Sequence, residues 1–140
     1  EVGRAEPGGE FLCIATILPL RRWRDIISFL RMSSRVEKQL KETEGLVRYG
    51  LRANLLRKEF WTFSVWADKP SVNAFVKGGA HAAAVGRFSE WAGEGAAFVE
   101  WDSHDGVINW KDAAERMKNP SFTTGELADS GSVSLWYGAV

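Results

Sequence analysis

The chain has 140 residues, 45% hydrophobic and 26% charged, with 18 basic side chains balanced by 18 acidic ones. That length suits one domain burying roughly 68% of its unfolded surface, and zero net charge gives no electrostatic footprint for DNA or RNA, which disfavours nucleic acid, so no nucleic-acid partner is expected. The longest apolar run, Phe11 to Leu20, is ten residues, too short to span a bilayer, and the single Cys13 excludes an intramolecular disulfide. The expectation is a cytoplasmic protein with no membrane partner. Its seven tryptophans call for a large aromatic core or an apolar pocket.

Residues 1–10 read as a flexible lead-in. FLCIATILPL, residues 11–20, is continuously apolar with branched side chains, as in a strand covered on both faces. From Arg22 to Glu44 the spacing of Trp23, Ile26, Ile27, Leu30 and Leu40 is helical, and Gly45 stands where a helix C-cap glycine belongs. LVRYGLRANLL (46–56) and EFWTFSVWA (59–67) read as a hairpin. Asp68 can cap a helix with Pro70 in its first turn. Gly78-Gly79 breaks that helix, and a second segment runs to about Trp91. AAFVEWDS (96–103) is a fourth strand, WKDAAERMKNP (110–120) a short helix, and SVSLWYGAV an edge strand or docked tail.

The order β-α-β-β-α-β is that of an α+β, ferredoxin-like antiparallel sheet with both helices on one face. Residues 11–103 form the domain, and 104–140 a C-terminal extension packing on it.

Strand side chains alternate between faces. Val47, Tyr49, Leu51 and Ala53 form one apolar set, matched by Trp61, Phe63 and Val65 and by Ala97, Val99 and Trp101. These are expected beneath the helices. The opposite set mixes Arg48, Arg52, Asn54, Thr62, Ser64, Trp66, Glu100 and Asp102. A hairpin loop of odd length places Asn54 opposite Thr62 and Arg52 opposite Ser64, gathering these groups on one face. Either that face is solvated, or a second subunit covers it and the two sheets enclose a partly polar cavity.

The run FWTFSVWADKPSVNAFVKGGAH (60–81) resembles the third strand and second helix of the dimeric α/β-barrel superfamily, which includes the antibiotic-biosynthesis monooxygenases. Within it the run looks most like the spheroidene-monooxygenase-like branch. The strand-closing SVW, the AF pair before His81 and the tail FVEWDSHDGVINWKDAAERM carry the resemblance, which covers residues 11–118. It implies a homodimer forming a dimeric α/β barrel around a site for a small hydrophobic molecule, and a cofactor that is either absent or haem. Haem-degrading members carry a tryptophan where Phe75 stands here and a ligating histidine where Val85 stands, so their mechanism does not carry over. In the spheroidene-like branch His81 matches an axial haem ligand by type.

His81 follows two glycines and precedes three alanines, which leaves space for an acid, a base or a ligand; otherwise it is a helix-start histidine bonded to backbone. Trp66 can wall a pocket, and Arg52 can stabilise an oxyanion. Arg48, Asn54, Thr62, Ser64, Phe75 and Glu100 complete the candidate binding set, with pairing of the arginines to Glu100 the plainer reading. Trp61 and Trp101 read as core, and His104 as a solvated turn residue. Two histidines without HxH or HExxH spacing offer no zinc site. The leading functional reading is a monooxygenase-like enzyme for an aromatic or polyene substrate. Its rivals are a noncatalytic ligand-binding dimer and a cofactor-free lyase or isomerase.

Overall fold

The structure, a computed structural model, describes residues 2–3, 10–93 and 95–123. Its elements are β1 (Val2–Gly3), β2 (Phe11–Pro19), α1 (Ile26–Glu42), β3 (Leu46–Asn54), β4 (Glu59–Trp66), α2 (Lys69–Lys77), α3 (Gly79–Gly86), α4 (Phe88–Trp91), β5 (Ala97–Ser103), α5 (Trp110–Arg116) and β6 (Phe122–Thr123). The strands form one antiparallel sheet in the order β1-β3-β4-β2-β5-β6. Its central four strands, with α1 and α2 between them in sequence, make the ferredoxin-like α+β fold. Val2–Gly3 lies within the expected flexible lead-in, yet pairs with Arg48 and Tyr49 of β3. The stretch SVSLWYGAV lies outside the described residues.

Local chemistry sets the boundaries. Asp68 caps α2 by accepting a hydrogen bond from the Ser71 amide at 2.8 Å, with Pro70 in the first turn. The Ser71 hydroxyl first, and the Ser71 amide second, hold the Asp68 carboxyl below its ordinary range, so its share of stability is present above the unfolded carboxylate pKa and is lost as pH falls through the depressed value. Replacing Asp68 by Ala is expected to cost about 1 kcal/mol, read from denaturant unfolding at pH 7. Gly45 turns the chain from α1 into β3 at φ +93°, and a side chain there would strike the Ser71 hydroxyl. Only glycine meets both demands.

The strand faces are not arranged as the alternation suggested. In β4 and β5 the mixed set lies beneath the helices: Trp66 and Phe98 pack with Leu40 of α1 and Val72, Phe75 and Val76 of α2. The apolar set, including Phe63, Val65 and Val99, lies on the opposite face, where Ile108, Trp110, Ala113 and Met117 cover it. Each face thus carries a buried apolar cluster covered by the chain itself, and polarity alternation does not tell the two apart.

The register differs as well. The hairpin pairs Asn54 with Glu59 and Arg52 with Trp61, while Tyr49, Leu51 and Ala53 stand opposite Ser64, Thr62 and Phe60. Two features cause the difference. The loop holds four residues, Leu55–Lys58, closed by a 3-10 turn and by Lys58 at φ +54°. A shift between Leu46 and Arg48 then changes the face on which Val47 falls. Arg48, Arg52 and Asn54 therefore stand on the opposite side of the sheet from Thr62, Ser64 and Trp66.

Trp110 is the keystone of the second layer. Its ring meets Phe63 edge-on at 5.8 Å and lies beneath the Arg52 guanidinium at 4.9 Å. Trp110→Ala is expected to cost about 2–3 kcal/mol and to raise the binding of a solvatochromic dye, as the Phe63 face comes into contact with water.

Candidate functional site

A cavity of about 420 Å³ opens between the helices and the face of β2, β3 and β4 that carries Thr16, Leu51, Thr62 and Ser64. Its volume falls in the range of small-molecule sites. Aromatic and aliphatic side chains dominate the lining: Phe29 and Val36 from α1, Phe60 and Trp66 from β4, Phe75 from α2 and Trp91 from α4. Leu51, Ala53 and Thr62 are exposed, so the mouth opens at the hairpin end of the sheet.

Four of the sequence-predicted residues meet at the inner end. Trp66, 1% exposed, donates from Nε1 to Ser64 Oγ at 2.8 Å. Its ring packs on Phe75 at 5.5 Å, and Phe75 in turn packs on the His81 imidazole at 4.8 Å. Thr62 lines the same cavity. His81 Nδ1 lies 3.1 Å from the Val76 carbonyl, and since a carbonyl only accepts, Nδ1 carries the proton. Nε2 is then left with its lone pair and has no hydrogen-bonding partner among the described residues. Burial lowers the imidazole pKa below 6.5, more strongly than the Val76 bond raises it, so the ring is neutral at pH 7.

The other predicted residues stand elsewhere. The Arg52 guanidinium lies over Trp110 on the far face, so Arg52 reaches the cavity lining only from the rear of the sheet. Arg48 stands near Asp105, whose carboxyl is held below its ordinary range first by the Val107 amide, then by the Ser103 hydroxyl, and least by the Arg48 charge. Asn54 accepts from the Arg57 amide at 3.2 Å, closing the hairpin turn. Glu100 pairs with Lys69 at 2.9 Å rather than with either arginine. His104 is exposed beside Glu10. Cys13 is fully buried, and burial pushes its thiol up to about 11, which leaves it inert.

Gln39 gave no signal in the sequence, being one polar residue inside a helical pattern. Its Nε2 donates to the carbonyls of Phe75 at 2.9 Å and Gly78 at 3.1 Å, and its Oε1 accepts from the His81 amide at 2.8 Å. One side chain thus ties the α2–α3 break to α1 and positions His81. Trp91 also went unnoticed: its ring is buried against Phe29 at 5.8 Å, and its Nε1 has no partner among the described residues. Gln39→Leu removes three hydrogen bonds at once, and thermal unfolding is expected to show a loss of about 2 kcal/mol.

Haem fits this lining in one respect only. An imidazole whose Nδ1–H is held by a carbonyl is set up as a metal ligand through Nε2. Yet the only Lys or Arg in the described lining is Arg52, whose charged end lies across the sheet, and Glu37 adds negative charge. Nothing there meets haem's two carboxylates, and no step is assigned to haem. Among the described residues no group of three His, Cys, Asp or Glu side chains could hold a metal ion, and no helix is long and apolar enough to cross a membrane.

No family model matches the sequence, and no curated protein does. Solved structures do. A putative antibiotic biosynthesis monooxygenase from Nitrosomonas europaea superposes with TM-score 0.60 at 10% identity, over 75% of this chain and 100% of that one. SnoaB from Streptomyces nogalater, a cofactor-independent oxygenase, gives 0.52 at 9% identity over 70% and 95%. A conserved protein from Methanosarcina mazei Go1 gives 0.58 at 12% identity over 65% and 90%. The likeness is one of fold. At these identities the shared architecture is the finding, and the chemistry must be argued from the cavity.

Proposed function

We propose that the chain is a monooxygenase-like enzyme that takes a small hydrophobic, aromatic or polyene substrate into the cavity beneath α1 and α2, with His81 as its proton acceptor. One observation carries this reading: a neutral imidazole, its tautomer fixed by Val76, presents an unpartnered Nε2 at the end of an apolar cavity. Such a group can take a proton from a phenol or an activated C–H and leave an electron-rich anion in a dry site. Trp66 and Phe75 supply flat walls for a ring, and Ser64 and Thr62 supply hydroxyls at its edge. The fold's likeness to a cofactor-independent oxygenase agrees with a reaction in which the substrate itself supplies the electrons.

With a naphthol the balance is simple. One naphthol and one dioxygen give one naphthoquinone and one water; one oxygen atom enters the ring and the other leaves as water.

The test is oxygen uptake and quinone absorbance with α-naphthol, wild type against His81→Ala. Uptake that His81→Ala abolishes supports the reading. Uptake unchanged by His81→Ala removes His81 from the chemistry. Binding of α-naphthol without any uptake points instead to a noncatalytic ligand-binding protein.

A further inference from the structure

We propose that, against the expectation from sequence of no membrane partner, the surface around the cavity mouth docks on an anionic lipid bilayer. Trp23, in the 3-10 turn Trp23–Asp25 just before α1, and Ile27 and Leu30 in the first turns of α1 are 56%, 63% and 42% exposed. Across the mouth stand Leu51 at 50%, Leu55 at 56% and Leu56 at 89%. The two groups adjoin: Leu30 and Leu51 both line the cavity, Lys58 Nζ lies 5.3 Å from the centre of the Trp23 ring, and the Lys58 carbonyl accepts from the Leu20 amide at 2.7 Å. Large apolar side chains gathered so openly on one surface mark a contact site.

Charge selects the partner. The chain is neutral overall, yet residues 20–31 and 51–59 carry seven basic side chains and two acidic ones; six of the seven remain once Arg52, whose guanidinium lies across the sheet over Trp110, is set aside. Asp25 is already paired with Arg22, and Glu59 accepts from the Trp61 indole. Arg24, Arg31 and Arg57 are exposed and make no ion pair with any described residue. Aliphatic side chains beside an indole, surrounded by free cations, match a bilayer interface: apolar groups enter the acyl boundary while the cations meet lipid phosphates and carboxylates. A second copy fits less well, because a two-fold contact here would set the same cations against each other. Nucleic acid would leave Leu55 and Leu56 without a role. In this placement the mouth, marked by Leu30 and Leu51, faces the membrane, and an apolar substrate passes into the cavity without crossing water.

The proposal concerns docking, not the reaction, and its test separates the two. The full chain is sedimented with vesicles of phosphatidylcholine plus phosphatidylserine, and separately with phosphatidylcholine alone. The chain should pellet with the anionic vesicles only, and should be released near 1 M salt, where screening reaches about 3 Å. Leu55→Ser with Leu56→Ser should weaken binding by roughly tenfold, with an unchanged melting temperature because both side chains already face solvent. Arg24→Gln with Arg57→Gln should weaken it similarly and flatten the salt dependence. His81→Ala should bind as wild type does, whatever becomes of turnover. A wild type that stays in the supernatant overturns the proposal, as does undiminished binding by the leucine variant. A concentration-dependent mass that the leucine variant abolishes would also overturn it, by assigning the patch to a second copy.

Discussion

His81→Ala is expected to lower turnover of a cavity-bound substrate by about a hundred- to ten-thousand-fold, the range over which one positioned base contributes. The fold should survive, because the strands and the Gln39 bonds to Phe75 and Gly78 do not involve the imidazole. The wild-type pH profile gives a second check. Burial lowers the pKa of His81 below 6.5, so the base stays neutral at pH 7, and kcat/KM should hold level there and fall only on the acid side of the ordinary histidine range. Stability follows the same sign. A depressed histidine pKa means that the unfolded chain binds more protons between the two values, so the stabilisation is complete above about 6.5 and declines as pH falls. His81→Gln should lose that decline. A kcat/KM inflection at or above the ordinary value would contradict an imidazole buried and neutral.

Trp66→Ala is expected to lower the unfolding free energy by about 3–5 kcal/mol, the cost of a large cavity in a packed core. Trp66 is 1% exposed, packs on Phe75, and occupies the junction between β4, α1 and α2. Its loss also leaves Ser64 Oγ without the indole donor. The comparison with Trp66→Phe separates these contributions: phenylalanine keeps most of the packing and forfeits the hydrogen bond, which is worth about 1 kcal/mol. Denaturant midpoints for the two variants supply the measurement. Equal losses would mean that the hydrogen bond, not the volume, sets the stability of this corner.

Local chemistry made the elements readable from sequence alone. The branched run at Phe11, the Asp68-Pro70 start, the glycine break at Gly78-Gly79 and the helical spacing of α1 each appear close to where residue types placed them. The faces were not readable, for a physical reason. A period-two pattern sorts a strand only when one side meets water, and here residues 108–117 cover the side that the helices do not. The register was equally hidden. Leu55 and Leu56 look like strand residues but leave the ladder in a 3-10 turn that Asn54 closes with its own side chain. One slip of this kind moves Arg52 and Asn54 to the opposite face. The cluster of Ser64, Trp66, Phe75 and His81 survives because β4 and the following helices place it without reference to β3. Gln39 was hidden because its three partners come from the α2–α3 break, far from it in sequence.

The silent thiol on β2 has a practical consequence. Because Cys13 is shut inside the sheet and holds its proton to about 11, alkylating reagents at neutral pH have nothing to attack on the intact molecule. A cysteine introduced at position 56 would be the sole handle for a dye or spin label, with no background to subtract. Spectroscopic depth measurements at the hairpin tip are therefore open without first redesigning the interior.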